Sequence, residues 1–267
     1  MREVRPVLAV VSILAALALF GPLMAPNDPT AIDIPNRLAV PGGKYPLGTD
    51  AMGRCILSRL LHGARWSLGL AVLVSSMGLV AGSLLGLLAA MGGRAVDWTL
   101  MRVTDIFLAF PDLVAAVVIA GVLGASTGSL IFALTITGWM RYARVARGEG
   151  LGLATRGHVI QARLAGLSAP AIARWHYLPA LVPSLTVVWT GMLARAILGI
   201  SALGFLGFGV QPPTPEWGTM LLDARVHIRS APLQMIWPGM AVVLCVLAIN
   251  VSGDVLRDAL AEKDAPA

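Results

Sequence analysis

The sequence predicts an all-α, polytopic membrane protein with six transmembrane helices. Of its 267 residues, 57% are hydrophobic and only 13% are charged, and the mean hydropathy is +0.79. A soluble domain typically carries about 25% charged residues. Apolar runs of about 20 residues, long enough to cross the hydrocarbon core of a bilayer, recur along the chain. These observations exclude a soluble protein and make the lipid bilayer a partner of this chain.

The first predicted span covers residues 7–24, which carry no charge and follow Arg2 and Arg5. The run resembles a signal peptide, but it exceeds the roughly 7–15 apolar residues of a typical signal core. It also ends in the letters PLMAP, without a small-x-small cleavage site. We therefore expect an uncleaved span, with a short cytoplasmic tip before it.

Residues 27–66 form a polar, turn-rich segment that precedes the second span. In its second half, residues 50–66, apolar side chains recur at helical spacing with Arg54, Arg59 and Arg65 between them. This periodicity predicts an amphipathic helix that lies along the outward-facing surface of the membrane and leads into the next span.

The second predicted span, residues 67–91, is uncharged over its whole length. Gly78, Gly82 and Gly86 lie four positions apart and therefore share one face of the helix. Small residues at this spacing allow a neighbouring helix to approach closely. We expect a helix–helix contact along these three residues, which we call the glycine stripe.

The third predicted span, residues 103–124, follows a short inner turn and is interrupted by Pro111 and Asp112. Proline removes a backbone donor, so it kinks or breaks a helix. A carboxylate beside such a kink is typical of a packed interior or a translocation pathway. The alternative is that Asp112 caps a helix end, and the sequence leaves both interpretations open.

The fourth predicted span begins at residue 129 and continues as a helix into a basic segment, residues 141–179. This segment carries six arginines against one acid, Glu149. The fifth span covers residues 180–210, a polar loop covers 211–232, and the sixth span covers 233–251. Arginine and lysine accumulate on the cytoplasmic side, so the basic segment and both termini are predicted to be cytoplasmic. The net charge of +6 is thus attributed to topology, and no nucleic acid is expected as a partner.

Arg195 is the most informative residue of the predicted spans. A guanidinium at the centre of a bilayer costs at least ~2.5 kcal/mol, so it needs a polar cavity or a carboxylate. Two hypotheses follow. Arg195 lines the translocation pathway, with Asp112 as a second candidate, and favours an anionic substrate, or it pairs with an acid of a partner subunit.

Missing motifs exclude several kinds of chemistry. Lys44 and Lys263 do not stand in a phosphate-binding loop, so the chain is not expected to hydrolyse ATP itself. We expect no catalytic residue, no cofactor and no metal site. Asp223 and His227 could supply half of a metal site at their four-residue spacing, but two exposed polar residues on one helix face are commoner.

A membrane-embedded enzyme and a self-contained channel are two alternative classes of protein. A membrane-embedded enzyme would need clustered titratable groups at membrane depth, and the spans offer little beyond Asp105, Asp112 and Arg195. A self-contained channel would need no ATPase, and the basic segment would then only set topology. Cys55 and Cys245 are too few for a disulfide framework and are predicted to be free thiols.

Four stretches resemble the C-type permease subunits of bacterial ABC importers for dipeptides, oligopeptides and nickel. They are PLGTDAMGRCILSRLLHGARWSL at 46–68, GGRAVDWTLMRVTDIFLAFP at 92–111, FLGFGVQPPTPEWGTMLL at 205–222 and PGMAVVLCVLAINVSGDVLRDAL at 238–260. The resemblance implies a type I ABC importer permease fold in the bacterial inner membrane, with a transmembrane core at 67–267 preceded by a region at 1–66. It also implies a heterodimer with a second permease subunit, two cytoplasmic ATPase subunits and a periplasmic substrate-binding protein. Cys55 departs from the Gly-Arg-Asp that such proteins usually carry there.

The resemblance also implies that residues of about 148–178 form a cytoplasmic coupling loop that docks on an ATPase subunit. The family pattern places its Glu-Ala-Ala triplet at 160–162 and its glycine at Gly166, so Ile160 replaces the acid. The docking helix is expected at about 161–175. The positions assigned to the coupling loop are Gln161, Ala162, Arg163, Gly166, Leu178 and Pro179.

The amino-acid sequences of three stretches resemble nickel-type members of the family more than peptide-type members. These stretches are residues 31–38, 219–225 and 231–239. A bare Ni²⁺ ion would be repelled by Arg195 if this side chain lines the pathway. The expected substrate is therefore nickel in an anionic chelate complex. Import of di- or oligopeptides is the alternative.

Overall fold

The structure, a computed structural model, describes residues 4–264, which form eleven α-helices and no β-strand. Residues 1–3 and 265–267, which include Arg2 of the predicted cytoplasmic tip, lie outside the described residues. The helices are α1 (Val4–Phe20), α2 (Ile56–Met91), α3 (Arg94–Leu108), α4 (Asp112–Leu123), α5 (Thr127–Ile136), α6 (Trp139–Ala154), α7 (Gly157–Leu164), α8 (Ala169–Ile172), α9 (Leu178–Phe205), α10 (Trp217–Ala224) and α11 (Leu233–Asp264).

Three helical stretches of the described chain are long and apolar enough to cross a membrane. They are Ile56–Met91, Ala169–Phe205 and Leu233–Leu260, and the bent pair α3–α4 adds a fourth if both halves count as one span. The all-α class is thus confirmed for the described residues. The number of six spans stays a prediction, because α1 and α5 are shorter apolar helices.

The predicted outer surface helix and the second span form one continuous helix, α2, of 36 residues. Arg59 lies near its start with a side chain that is only 3% exposed, although the amphipathic pattern predicted an exposed position. The reason is tertiary. Asp50 Oδ2 lies 2.6 Å from Arg54 Nε and 3.5 Å from Arg59 Nε. The part of the polar segment that precedes α2 therefore packs against both arginines.

Asp223 of α10, whose side chain is 40% exposed, completes this ion cluster. Its Oδ2 lies 3.1 Å from Arg54 Nη2 and 3.6 Å from Arg59 Nη2. The carboxylate therefore pairs with arginines rather than with His227. Within residues 4–264, no three His, Cys, Asp or Glu side chains gather as a metal site would require.

The glycine stripe of α2 packs against α6, which confirms the expected helix–helix contact. A Cβ atom on Gly82 would overlap the carbonyl oxygen of Trp139, and one on Gly86 would overlap that of Ala143. One on Gly78 would lie 3.4 Å from the ring of Tyr142. Through these contacts α6 packs along α2. The first residues of the basic segment therefore lie within the helix bundle and not at its edge.

Two of the predicted spans are broken. The pair α3–α4 bends by 88° at Pro111, as the proline predicted. The fourth span was predicted to run unbroken into the basic segment, and this is wrong, since α5 ends at Ile136 and α6 begins at Trp139. Gly138 lies in the break, and its N–H bonds to the carbonyl of Thr135 in a tighter turn.

Three clusters of buried side chains hold the bundle together, and the smallest packs Trp139, Met140 and Ala143 of α6 against Phe107 and Leu108 of α3. The largest one joins α2, α4, α5, α9, α10 and α11 around Leu130, Ile197 and Trp217. The second joins α2, α6 and α9 to the connection at α7 and α8 through Val159 and Tyr177. The two cysteines are both buried and free, as predicted.

Candidate functional site

An open cleft of about 540 Å³ lies between α2, α4, α5, α6 and α9. Most of its lining is apolar or small, such as Val74 and Gly78 of α2 and Met192 of α9. Asp112 and Arg195 both line it, so the structure brings together the two pathway candidates that the sequence singled out.

Arg195 lies on α9 with 57% of its side chain exposed, and its Nη1 is 3.7 Å from Asp112 Oδ2. An acid of the same chain is therefore within ion-pair distance, and no partner subunit is needed to supply one. The distance exceeds that of a hydrogen bond, so the guanidinium keeps donors that face the cleft.

Asp112 stands in the first turn of α4, directly after Pro111. The sequence left open whether Asp112 stands at a helix end or lines a pathway. The residue does begin a helix, and it also faces the cleft. Its Oδ2 accepts a hydrogen bond from Arg141 Nη2 at 3.3 Å. The carboxylate is thus shared by two arginines of different helices.

Arg141 is the first of three arginines on α6 that pair with aspartates of α3 and α4. Arg144 Nη2 lies 2.7 Å from Asp105 Oδ1, and Arg147 pairs with Asp97 through two hydrogen bonds. We call these three pairs the α6 ladder. Sequence reasoning assigned these arginines to topology alone and missed their partners. The three-residue spacing of the arginines, which places them along one helix side, was the available signal.

The predicted docking helix at 161–175 is not one helix. α7 ends at Leu164, Gly166 has a φ of +81°, and α8 begins at Ala169. The N–H of Leu167 bonds to the carbonyl of Ala162 at 3.1 Å, which closes α7 with a left-handed glycine. Pro170 then stands in the first turn of α8, where its missing N–H costs no hydrogen bond.

The coupling-loop residues divide into buried and exposed positions. Ala162 is buried, and Arg163 Nη2 donates to the hydroxyl of buried Tyr177 at 3.3 Å. Gln161 and Gly166 are exposed. Leu178 and Pro179 form the start of α9, where both are exposed.

Around these positions the loop exposes large apolar side chains. Leu164 is 83% exposed and Trp175 is 67% exposed, while Ile160, at the position of the family's glutamate, is 44% exposed. We call Ile160, Leu164 and Trp175 the apolar tip of the loop. Neighbouring exposed apolar side chains outside a membrane span are typical of a surface that another protein covers.

Comparison with known proteins connects this geometry to a family. Residues 82–263 match the family described as the inner membrane component of binding-protein-dependent transport systems. The chain belongs to this family. It is therefore the permease component of an ABC importer, and ATP hydrolysis is carried out by separate subunits. Membership also implies ATPase partners and a substrate-binding protein.

Individual relatives extend over nearly the whole chain. The nickel transport system permease protein NikC of Escherichia coli K12 is 41% identical over 97% of this chain and 93% of its own length. The di/tripeptide transport system permease protein DppC of Pseudomonas aeruginosa is 42% identical over 92% of this chain and 83% of its own length. The dipeptide transport system permease protein DppC of Alkalihalophilus pseudofirmus is 36% identical over 96% of this chain and 84% of its own length.

A solved structure shares the fold. A chain from the inward-facing MetNI methionine ABC transporter superposes with a TM-score of 0.60 at 21% identity, covering 74% of this chain and 95% of that chain. This similarity confirms the importer permease fold that the sequence predicted. Membership of the family excludes the two alternative classes, a membrane-embedded enzyme and a self-contained channel.

Proposed function

We propose that this chain is a permease subunit that moves nickel, as an anionic metal–chelate complex, across the inner membrane. The observation that carries the proposal is Arg195, whose guanidinium faces the cleft. A cation-lined cleft repels a free Ni²⁺ ion and attracts a complex in which carboxylate ligands outweigh the metal charge. The 41% identity to NikC of Escherichia coli supports nickel as the metal.

Import of di- or oligopeptides is the second candidate. The 42% identity to DppC of Pseudomonas aeruginosa favours it, and a peptide also offers a carboxylate to Arg195. The two candidates share one pathway and differ in the cargo that the binding protein delivers.

The assembly that supports this function has four kinds of subunit. We place this chain beside a second permease in a heterodimer, with two ATPases on the cytoplasmic side and a loaded periplasmic binding protein outside. Both termini of the chain are cytoplasmic in this arrangement. The apolar tip and the coupling-loop positions dock on an ATPase, so that closure of the ATPases on ATP tilts the helices and opens the cleft outward.

The cargo is tested in proteoliposomes that hold the complete importer, with ATP inside and the binding protein outside. We expect ATP-dependent uptake of nickel bound to histidine, slower uptake of free nickel, and little uptake of dipeptides. Dipeptide uptake without nickel uptake would establish the second candidate. Uptake of neither cargo would contradict both.

The pathway role of Arg195 is tested in the same vesicles with Arg195→Gln, which removes the charge and keeps the length. The matched control is Arg257→Gln, which removes an exposed charge of α11 outside the cleft. We expect the first variant to assemble and to lose most uptake of the nickel complex, while the control transports normally. Wild-type rate and preference in an assembled Arg195→Gln complex would refute the pathway role.

A further inference from the structure

Asp112, which lines the cleft together with Arg195, lies within ion-pair distance of two arginines. Asp112 Oδ2 lies 3.3 Å from Arg141 Nη2 and 3.7 Å from Arg195 Nη1, so two guanidinium groups share one carboxylate. Asp112 is the only acid that lines the cleft among the described residues. The three side chains are 34% to 57% exposed, and together they carry one excess positive charge.

The two arginines contact this carboxylate differently. Arg141 makes a hydrogen bond to it, whereas Arg195 lies within ion-pair distance but makes no hydrogen bond in the described residues. Arg141 thus supplies the positive charge that Asp112 needs. The donors of Arg195 stay available, and a guanidinium binds a carboxylate through two parallel hydrogen bonds.

We propose that Arg141 determines cargo specificity by neutralising Asp112, which leaves Arg195 free to bind a carboxylate of the cargo. The inference rests on the function proposed above and names the chemical class that its cleft selects, a cargo with an uncompensated carboxylate. A metal chelated by an amino acid and the C-terminus of a peptide both provide this group. Arg141 contacts the acid and acts through Arg195, so it is a positioning residue.

The α6 ladder explains why Arg141 holds this position. Arg144 and Arg147 pair with Asp105 and Asp97 further along the same helix side, which fixes α6 against α3. The glycine stripe fixes the opposite side of α6 against α2. Held from both sides, α6 places the Arg141 guanidinium beside Asp112.

The test compares variants by the net charge of the cluster formed by Asp112, Arg141 and Arg195. Arg141→Gln reduces it from one positive charge to zero, Asp112→Asn raises it to two, and the double variant returns it to one. We expect the half-saturating concentration of a carboxylate cargo to rise about tenfold in Arg141→Gln, the size of one charge-assisted hydrogen bond. In the double variant we expect it to return near the wild-type value.

A merely structural role for Arg141 predicts the opposite outcome, because removing both partners would then impair transport at least as much as removing one. The cargoes are nickel with histidine or histidinamide, and a dipeptide or its C-terminal amide, so that each carboxylate has a neutral counterpart of equal size. The effect should appear only with the carboxylate forms. An equal effect on the amide forms, or no recovery in the double variant, would overturn the inference.

Two variants, Arg141→Lys and Asp112→Asn, keep the test decisive if Arg141→Gln does not assemble. Arg141→Lys retains the charge and should keep the preference for carboxylate cargo, while Asp112→Asn alone should increase it. Failure of Asp112→Asn to increase the preference for carboxylate cargo would also overturn the inference.

If the wild-type complex imports no nickel complex and no peptide, the proposed function fails. If it imports one of them without discriminating carboxylate from amide, only the present inference fails.

Discussion

Glu216 is a fully buried carboxylate in the polar loop at 211–232, directly before α10. Its two oxygens accept hydrogen bonds from the N–H groups of Gly218 at 2.9 Å and Thr219 at 3.0 Å, and from the hydroxyl of Ser67 at 2.9 Å. The residue therefore caps α10 and ties it to α2. Burial raises the pKa of this carboxyl above its usual value, although the three hydrogen bonds act in the opposite direction.

This raised pKa makes stability depend on pH. The folded state holds the proton of Glu216 more strongly than the unfolded state does. The resulting stabilisation is complete below the ordinary pKa of about 4.3 and is lost as pH rises through the folded-state pKa. We expect the melting temperature of the purified chain in detergent to fall over this range. In Glu216→Gln that part of the pH dependence should be absent.

The glutamine variant should also be less stable at low pH by about 0.5–2 kcal/mol, because its amide nitrogen cannot accept a hydrogen bond from a capping N–H group, whereas the hydroxyl oxygen of the protonated carboxyl can. The matched control is Asp258→Asn, which alters an exposed carboxylate of α11. An unchanged pH profile in Glu216→Gln would show that the proton resides elsewhere.

At the scale of elements, the contact between α2 and α6 depends on the absence of side chains. A Cβ atom on Gly82 would overlap the carbonyl of Trp139 and would lie 2.7 Å from Cβ of Tyr142. The packing of the backbone of α6 directly against α2 is what small residues at four-residue spacing permit.

We expect Gly82→Ala to destabilise the chain by about 1–3 kcal/mol, since overpacking forces the two helices apart. Gly69→Ala in the same helix is the control, because nothing lies within 4 Å of the added methyl group. The control should be neutral or slightly stabilising, because alanine favours a helix over glycine by about 1 kcal/mol. Thermal unfolding in detergent measures both, and equal melting temperatures would contradict the close contact.

The connection between α7 and α8 shows the limit of pattern reading at this scale. The family resemblance implied a helix at about 161–175, yet Gly166 adopts a left-handed conformation and divides it. A glycine inside a helical pattern is compatible with continuation or with a C-terminal cap. Val159 and Tyr177 are buried in one cluster with side chains of α6 and α9, and this tertiary packing selects the cap.

At the scale of the whole molecule, the assembly proposed above assigns to the loop at about 148–178 the role of transmitting the closure of the ATPases to the cleft. We expect Gly166→Asp to uncouple transport from ATP hydrolysis without preventing membrane insertion, because it adds a charge to the exposed loop beside the apolar tip. The measurement is the amount of cargo imported per ATP hydrolysed in vesicles that contain the full complex.

Gly166→Asn is the matched control, since asparagine has the same shape as aspartate, carries no charge and also tolerates a positive φ. No atom lies within 4 Å of a Cβ at this position, so neither side chain causes a clash in the isolated chain. A loss of coupling in both variants would point to the backbone and not to the charge. Normal coupling in Gly166→Asp would refute the assignment of the loop.

Much of this protein follows from its sequence. Apolar runs and scarce charges determine an all-α membrane protein, the glycine stripe predicts a close helix contact, and Pro111 predicts a break, because each is a local property of composition or spacing. The partners of the charges were decided only by the tertiary structure. Arg141 and Asp112 are 29 positions apart in sequence, and Arg54 and Asp223 are 169 apart. No local pattern specifies such pairs, since they depend on where the packed helices place each side chain.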